Sequence, residues 1–147
     1  MGKNFNVPSI YVILRDKDTD KLAFLLRTHT GYKDGTYTLP AGHVEHGESN
    51  RIAAAREALE EVGVRIALDG LHHVYTLQRN EAANEDIRID IFFEASKWDG
   101  EVKNMEPHKH GDVAWFTVEE MPDTIMDYQA EVLRAIANGD TYHERGW

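Results

Sequence analysis

The sequence predicts an α/β fold in which a mixed β-sheet lies between helices. Three observations carry this reading. Short runs rich in β-branched and aromatic residues recur on both sides of the middle of the chain. Two stretches of helix-forming residues, Ser49 to Gly63 and Asp127 to Gly139, are bounded by cap and stop signals. The length, 147 residues, suits a single domain spanning 1–147 with a sizeable core. One early and one late helix among strands imply a sheet covered on both faces.

In chain order, Val7 to Leu14 is β-rich, Asp16 to Asp20 is a polar turn, and Lys21 to Arg27 resumes with Leu22, Phe24 and Leu26 alternating, a hairpin pattern. Thr28 to Gly35 is a glycine-marked loop, and Thr36 to Leu39 is a short strand stopped by Pro40. After the first helix, Val64 to Leu68 and Leu71 to Gln78 are expected as strands about an Asp69-Gly70 turn. Ile87 to Ala95 follows as a third strand, with Arg79 to Asp86 as an acidic connection. Trp98 to Gly111 reads as loop, Val113 to Thr117 as strand, Val118 to Met121 as a turn ended by Pro122, and Asp127 to Asn138 as the second helix. There is no internal repeat and no low-complexity segment.

Lys and Arg number 16 against 26 Asp and Glu, a net charge of −10, which disfavours a nonspecific grip on nucleic acid or an anionic membrane. An anionic substrate would need cations to enter. The chain has no Cys, which removes disulfides, thiolate zinc sites and a thiol nucleophile, and agrees with a cytoplasmic setting. The apolar run Ile10 to Leu14 is too short to cross a membrane.

The stretch that organises the chain is Gly42 to Val64. Its first half is glycine-punctuated; its second half runs from Ser49, placed as an N-cap, to Gly63, placed just past the helix end. At about 100° per residue, Ile52, Ala55, Leu59 and Val62 form one apolar stripe while Glu57, Glu60 and Glu61 gather opposite. The helix is expected to bury the stripe and hold the glutamates, beside Ala53 and Ala54, as an open acidic shelf. Carboxylates about 4 Å apart repel by roughly 4 kcal/mol at a surface-like dielectric, so they must separate, take up protons or hold a cation. Hard divalent ions suit such a cluster and leave positions for substrate phosphates. Taken alone, Glu-x-x-Glu-Glu far more often marks a merely solvated acidic face; the spacing of the whole stretch changes that.

The spacing as a whole resembles the Nudix box of the MutT-like hydrolases: Gly, five residues, Glu, seven residues, then Arg-Glu-apolar-x-Glu-Glu-x-Gly-apolar. Here those positions are Gly42, Glu48, Arg56, Glu57, Ala58, Glu60, Glu61, Gly63 and Val64. Ala58 stands where a larger aliphatic residue is usual. The resemblance implies an α/β/α sandwich in which Glu57 and Glu61 bind metal, Glu60 is a direct or water-mediated ligand, and the Gly42 carbonyl is a further donor. It also implies that Glu48 and Arg56 brace the loop, and that the cofactor is Mg²⁺, with Mn²⁺ as a substitute. Nudix proteins often pair as homodimers. The cysteine-dependent isopentenyl diphosphate isomerase branch does not fit a chain without Cys.

Outside the box, Arg27 to Gly42 and Glu106 to Asp112, with Trp115-Phe116 and Met121-Pro122, are similar to nucleotide-cleaving members. Arg27 suits a substrate phosphate or a surface ion pair. Trp115 suits base stacking or core packing; Phe116 must face the other way. The attacking water needs a base, which the family draws either from the box, as Glu57, or from a later loop, as Glu106. His43 and His46 are placed to touch substrate or solvent, and His108-x-His110 is a weak metal pattern without a third ligand. The expected activity is Mg²⁺-dependent cleavage of a nucleoside diphosphate linked to another group, tilted towards nucleoside or deoxynucleoside triphosphates. ADP-ribose or a nucleotide sugar is the enzymatic alternative, and a Nudix-fold module that binds a nucleotide without cleaving it is the other.

Overall fold

The computed structural model describes residues 2–3, 6–82 and 86–147. Eight strands and two α-helices form two sheets: β1 (Ser9–Leu14), β2 (Leu22–Arg27), β3 (Tyr37–Thr38), β4 (Ala41–His43), α1 (Asn50–Val62), β5 (His72–Asn80), β6 (Ile87–Ala95), β7 (His110–Phe116), α2 (Asp127–Ala137) and β8 (Tyr142–Arg145). The larger, mixed sheet has the order β4-β1-β6-β5-β8; the smaller is antiparallel, β3-β2-β7. The α/β reading holds.

Strand β1 is central and runs parallel to β6, with Tyr11 opposite Phe92. Its residues alternate between two cores. Tyr11 and Ile13 join Phe24, Tyr75, Leu77, Phe92 and the α2 residues Val132 and Leu133. Ile10, Val12 and Leu14 join Leu25, Phe93 and the α1 residues Ala53, Ala54, Ala58 and Val62. Burial on both faces is why Ile10 to Leu14 is a continuous apolar run rather than an alternating one.

Several expectations need correction. β1 and β2 do not form a hairpin; beyond the single bridge Arg15 to Leu22 the chain passes from one sheet into the other. Val64 to Leu68 is not a strand: Arg65 makes one bridge to Asp99, and Leu68–Gly70 is a turn of 3-10 helix. β5 continues through Arg79 and Asn80, so the connection begins two residues later than expected; residues 83–85 of it lie outside the described residues. β4 and β8 were not anticipated. Three and four residues of polar or glycine-containing sequence carry no periodicity, and they are strands because β1 and β5 offer them ladder partners.

The main correction concerns α1. Its buried residues are Ala53, Ala54, Glu57, Ala58, Glu61 and Val62, whereas Ile52 is 44% and Leu59 36% exposed. Ala54, Glu57, Ala58, Glu61 and Val62 fall at the i, i+3, i+4, i+7, i+8 spacing of a core-facing helix, with two glutamates inside the stripe. Small alanines bring the helix backbone close to the sheet, and the glutamates beside them are carried inward. No open shelf results.

Candidate active site

The caps of α1 are as the sequence implies. Ser49 Oγ accepts from the Ile52 amide at 3.2 Å, and Gly63 ends the helix at φ +76° with its amide on the Leu59 carbonyl. The last turn is tied further by a loop, since Lys103 N donates to the Val62 carbonyl at 3.0 Å and Met105 N to that of Glu61 at 2.9 Å. These bonds satisfy helix-end carbonyls and place Glu106 beside the helix.

Glu57 and Glu61 are each 9% exposed, and their carboxyl groups meet within hydrogen-bond reach. Glu61 Oε2 accepts from the Ala41 amide of β4 at 3.2 Å. Glu57 lies against Gly42: a Cβ at that glycine would stand 2.0 Å from Glu57 Oε1. Only glycine leaves this space.

Burial and then the charges of Glu57 and Glu106 push the Glu61 carboxyl well above the usual range. Burial also raises Glu57, opposed by Arg56. Two facing carboxyls with a third nearby are the donor set that a hard divalent cation compensates, so these residues fit Mg²⁺. Among the described residues, no group of three or more His, Cys, Asp or Glu side chains is arranged to hold a metal ion by itself. Glu60 is the outlier, with its side chain 52% exposed and turned to Arg56 at 3.3 Å.

Arg56 is the brace. Its Nε and Nη2 donate to the two Glu48 oxygens at 2.7 and 2.9 Å, Nη2 also to the His43 carbonyl at 3.0 Å, and Nη1 to Glu57 Oε1 at 2.7 Å. Glu48 in turn accepts from the Glu45 amide at 2.8 Å, closing the glycine-marked loop on itself. The forked guanidinium thus joins loop, strand β4 and helix in one network. Glu106 is anchored by its amide to Asn104 Oδ1 at 2.9 Å, and its carboxylate lies 3.6 Å from Lys109 Nζ.

Beside Gly42 a cavity of about 150 Å³ is lined by Arg27, Tyr32, His43 and Gln129, among others. A larger one of about 590 Å³, reaching Lys33, Arg79 and Arg88, shares Ser9, Tyr11, Tyr32, His43 and Tyr128 with it, so the two make one cleft. Arg27 and His43 therefore both line this cleft. Arg27 already holds the Tyr32 carbonyl at 2.9 Å and Thr30 Oγ1 at 3.2 Å. Trp115 does not join them. It packs against the core on the α1 side and lines neither cavity, while Phe116 faces the other core beside Phe24 and Tyr37. His108 is exposed and His110 buried, so the His-x-His pair does not converge.

The far wall of the cleft was missed in the sequence. Asp90 is fully buried and held by Arg79, whose Nη2 donates to Asp90 Oδ1 at 3.3 Å. The same guanidinium sits 3.8 Å from the Tyr128 ring centroid, and Tyr128 shares a 2.9 Å hydroxyl contact with Tyr11. The Ile87, Ile89, Ile91 alternation suggests a strand with Asp90 facing water. The usable signal was Arg79 itself, a cation at a strand end able to pair across the sheet.

Comparison with known proteins agrees with this geometry. A family model described as the NUDIX domain matches residues 6–136. MutT NUDIX hydrolase from Burkholderia pseudomallei superposes with a TM-score of 0.77 at 20% identity, covering 89% of this chain and 98% of that one. MutT protein from Methanosarcina mazei gives 0.77 at 21% identity, covering 95% and 98%. Among curated proteins, NAD-capped RNA hydrolase NudC from Klebsiella pneumoniae is 44% identical over 59 residues, 40% of this chain. That match spans only 21% of the relative's length. Fold and family match together define a NUDIX-domain protein, whose structural neighbours include MutT-type NUDIX hydrolases. The chain belongs to the NUDIX family. Such hydrolases act on small nucleotide substrates and generally use divalent metals such as Mg²⁺. No helix among the described residues is long and apolar enough to cross a membrane.

Proposed function

We propose that this chain is a Mg²⁺-dependent pyrophosphohydrolase that cleaves nucleoside or deoxynucleoside triphosphates to the monophosphate and pyrophosphate. The observation that carries this is the buried meeting of Glu57 and Glu61 against Gly42 at the mouth of a cleft lined by Arg27. Glu57, Glu61 and the Gly42 carbonyl would hold the cation, and Glu60, exposed and turned to Arg56, would serve it only indirectly. A cation held there would supply charge neutralisation at the phosphates and make a nearby water easier to deprotonate.

The remaining steps belong to the chain's own side chains. Arg27 presents its guanidinium to a substrate phosphate. Glu57 or Glu106 accepts the proton of the attacking water, whose oxygen bonds to phosphorus as the bridging P–O bond breaks and the leaving phosphate group departs with its electron pair. Arg56 and Glu48 keep Glu57 and the loop in place, and His43 borders the substrate.

A nucleotide sugar, ADP-ribose or NAD-like dinucleotide is the second reading, favoured by the partial match to NudC. Purified protein with Mg²⁺ and a nucleotide panel separates them. Triphosphates should release phosphate only after inorganic pyrophosphatase is added. Turnover of sugar nucleotides or dinucleotides without turnover of triphosphates would reverse the assignment. A chain that binds nucleotides but hydrolyses none would be a binding module. The same reading makes it a cytoplasmic enzyme of small molecules that can pair as a homodimer; the family match supports the small-molecule part.

A further inference from the structure

A nucleotide-binding cleft must hold the base, and Trp115, the expected stacking residue, lies elsewhere. Three tyrosines line the cleft. Tyr11 is 5% exposed and stacked on Phe92 at 4.6 Å, and Tyr128 is 8% exposed with Arg79 over its ring. Both are occupied by the protein itself. Tyr32 is 55% exposed.

The loop carrying Tyr32 is already organised. The Asp34 carboxylate accepts from Thr30 Oγ1 at 2.6 Å and from the Thr30 and Gly31 amides at 3.1 and 3.0 Å. Gly31 and Gly35 take φ values of +76° and +86°, which a turn of this tightness requires. Arg27 grips the Tyr32 carbonyl at 2.9 Å and lies 5.4 Å from the centroid of its ring. The residue suited to a phosphate therefore also fixes the aromatic ring, so much of the ordering cost of a binding loop is met before ligand arrives.

The far end of the cleft indicates which group would lie there. Arg79 is paired to Glu81 at 2.5 Å and to the buried Asp90, and Arg88 to Asp86 at 2.8 Å. Self-neutralised charges do not attract a further phosphate. They offer donors and acceptors to a neutral, polar-edged ring.

We propose that Tyr32 is the platform on which the base of the nucleotide stacks, with its polar edge towards Arg79 and Arg88. This rests on the nucleotide reading above and deepens it: the group beyond the phosphates is a planar heteroaromatic base, not a second anion or a flexible chain.

The test is calorimetric binding in EDTA of AMP, GMP, CMP and UMP, each against ribose 5-phosphate, for wild type, Tyr32→Phe and Tyr32→Leu. Wild type binds at least one monophosphate more tightly than the base-free sugar phosphate. Tyr32→Phe keeps the preference. Tyr32→Leu loses a preference of roughly 5- to 150-fold, the range that one stacked base contributes. No preference in wild type, or an equal change for both ligands in Tyr32→Leu, overturns the platform. Retention of the preference in Tyr32→Leu overturns it too. A Tyr32-dependent preference in a protein that hydrolyses no nucleotide would sink the hydrolytic reading and leave this one standing.

Discussion

Gly42→Ala is the sharpest test of how α1 and β4 cooperate. The added methyl would stand 2.0 Å from Glu57 Oε1, 2.2 Å from its Cδ and 2.7 Å from Oε2. Ordinary contact needs about 3.5 Å, so the carboxyl group must retreat by roughly 1.5 Å. It is the far end of a flexible side chain, so the backbone can stay put and folding should change little. The chemistry should not survive so well, because a misplacement of about 1 Å at a reacting centre costs on the order of 100-fold. The expected result is a kcat/KM lower by about 100-fold or more, roughly 2.7 kcal/mol of transition-state stabilisation, with the melting temperature within a few degrees of wild type. Steady-state kinetics with Mg²⁺ and calorimetry on the same preparation give both numbers. A well-folded Gly42→Ala with near-normal turnover would refute the claim that Glu57 must sit against β4.

Further outcomes follow from other contacts. Glu61 is held protonated more readily when folded than when unfolded, so metal-free protein should lose stability as pH rises from the ordinary carboxyl range through the raised value. Glu61→Gln should flatten that slope relative to wild type in pH-dependent melting in EDTA; an unchanged slope would refute the burial argument. Arg56→Lys should not rescue the loss seen in Arg56→Ala, because one ammonium cannot replace the fork to Glu48, His43 and Glu57. Kinetics and melting of both variants check this. Asp90→Asn should cost about 1 to 3 kcal/mol in denaturant unfolding, because Arg79 keeps Glu81 but loses its fully buried charged partner. Trp115→Leu should lower the melting temperature while leaving KM for the nucleotide unchanged, since that side chain packs in the core.

Much of this molecule is legible in its sequence, and the failures share a cause. The strands β1, β2 and β6, both helices and the caps at Ser49 and Gly63 follow from periodicity and capping chemistry. The Glu48 to Arg56 brace follows from motif spacing. The orientation of α1 was misread because hydrophobic patterning assigns glutamate to water, and here two glutamates occupy the stripe that faces the sheet. The same rule gives no hint that Asp90 is fully buried. Trp115 posed a choice that sequence leaves even, since an aromatic in a strand serves a core or a ligand equally well; only the sheet register decides. Sites where the polarity rule breaks are those where the protein retains buried charge for use or pairs it across strands.

Strand β1 pairs through Ile10 with Gly42 on one side and through Tyr11 with Phe92 on the other. Gly42, against which Glu57 lies, and Tyr11 in the cleft wall thus hang from adjacent positions of one strand, and the distance between them is set by a ladder rather than by a hinge. On the proposed reading, changes at Tyr32, Arg79 and Arg88 would alter what is accepted and leave that ladder untouched.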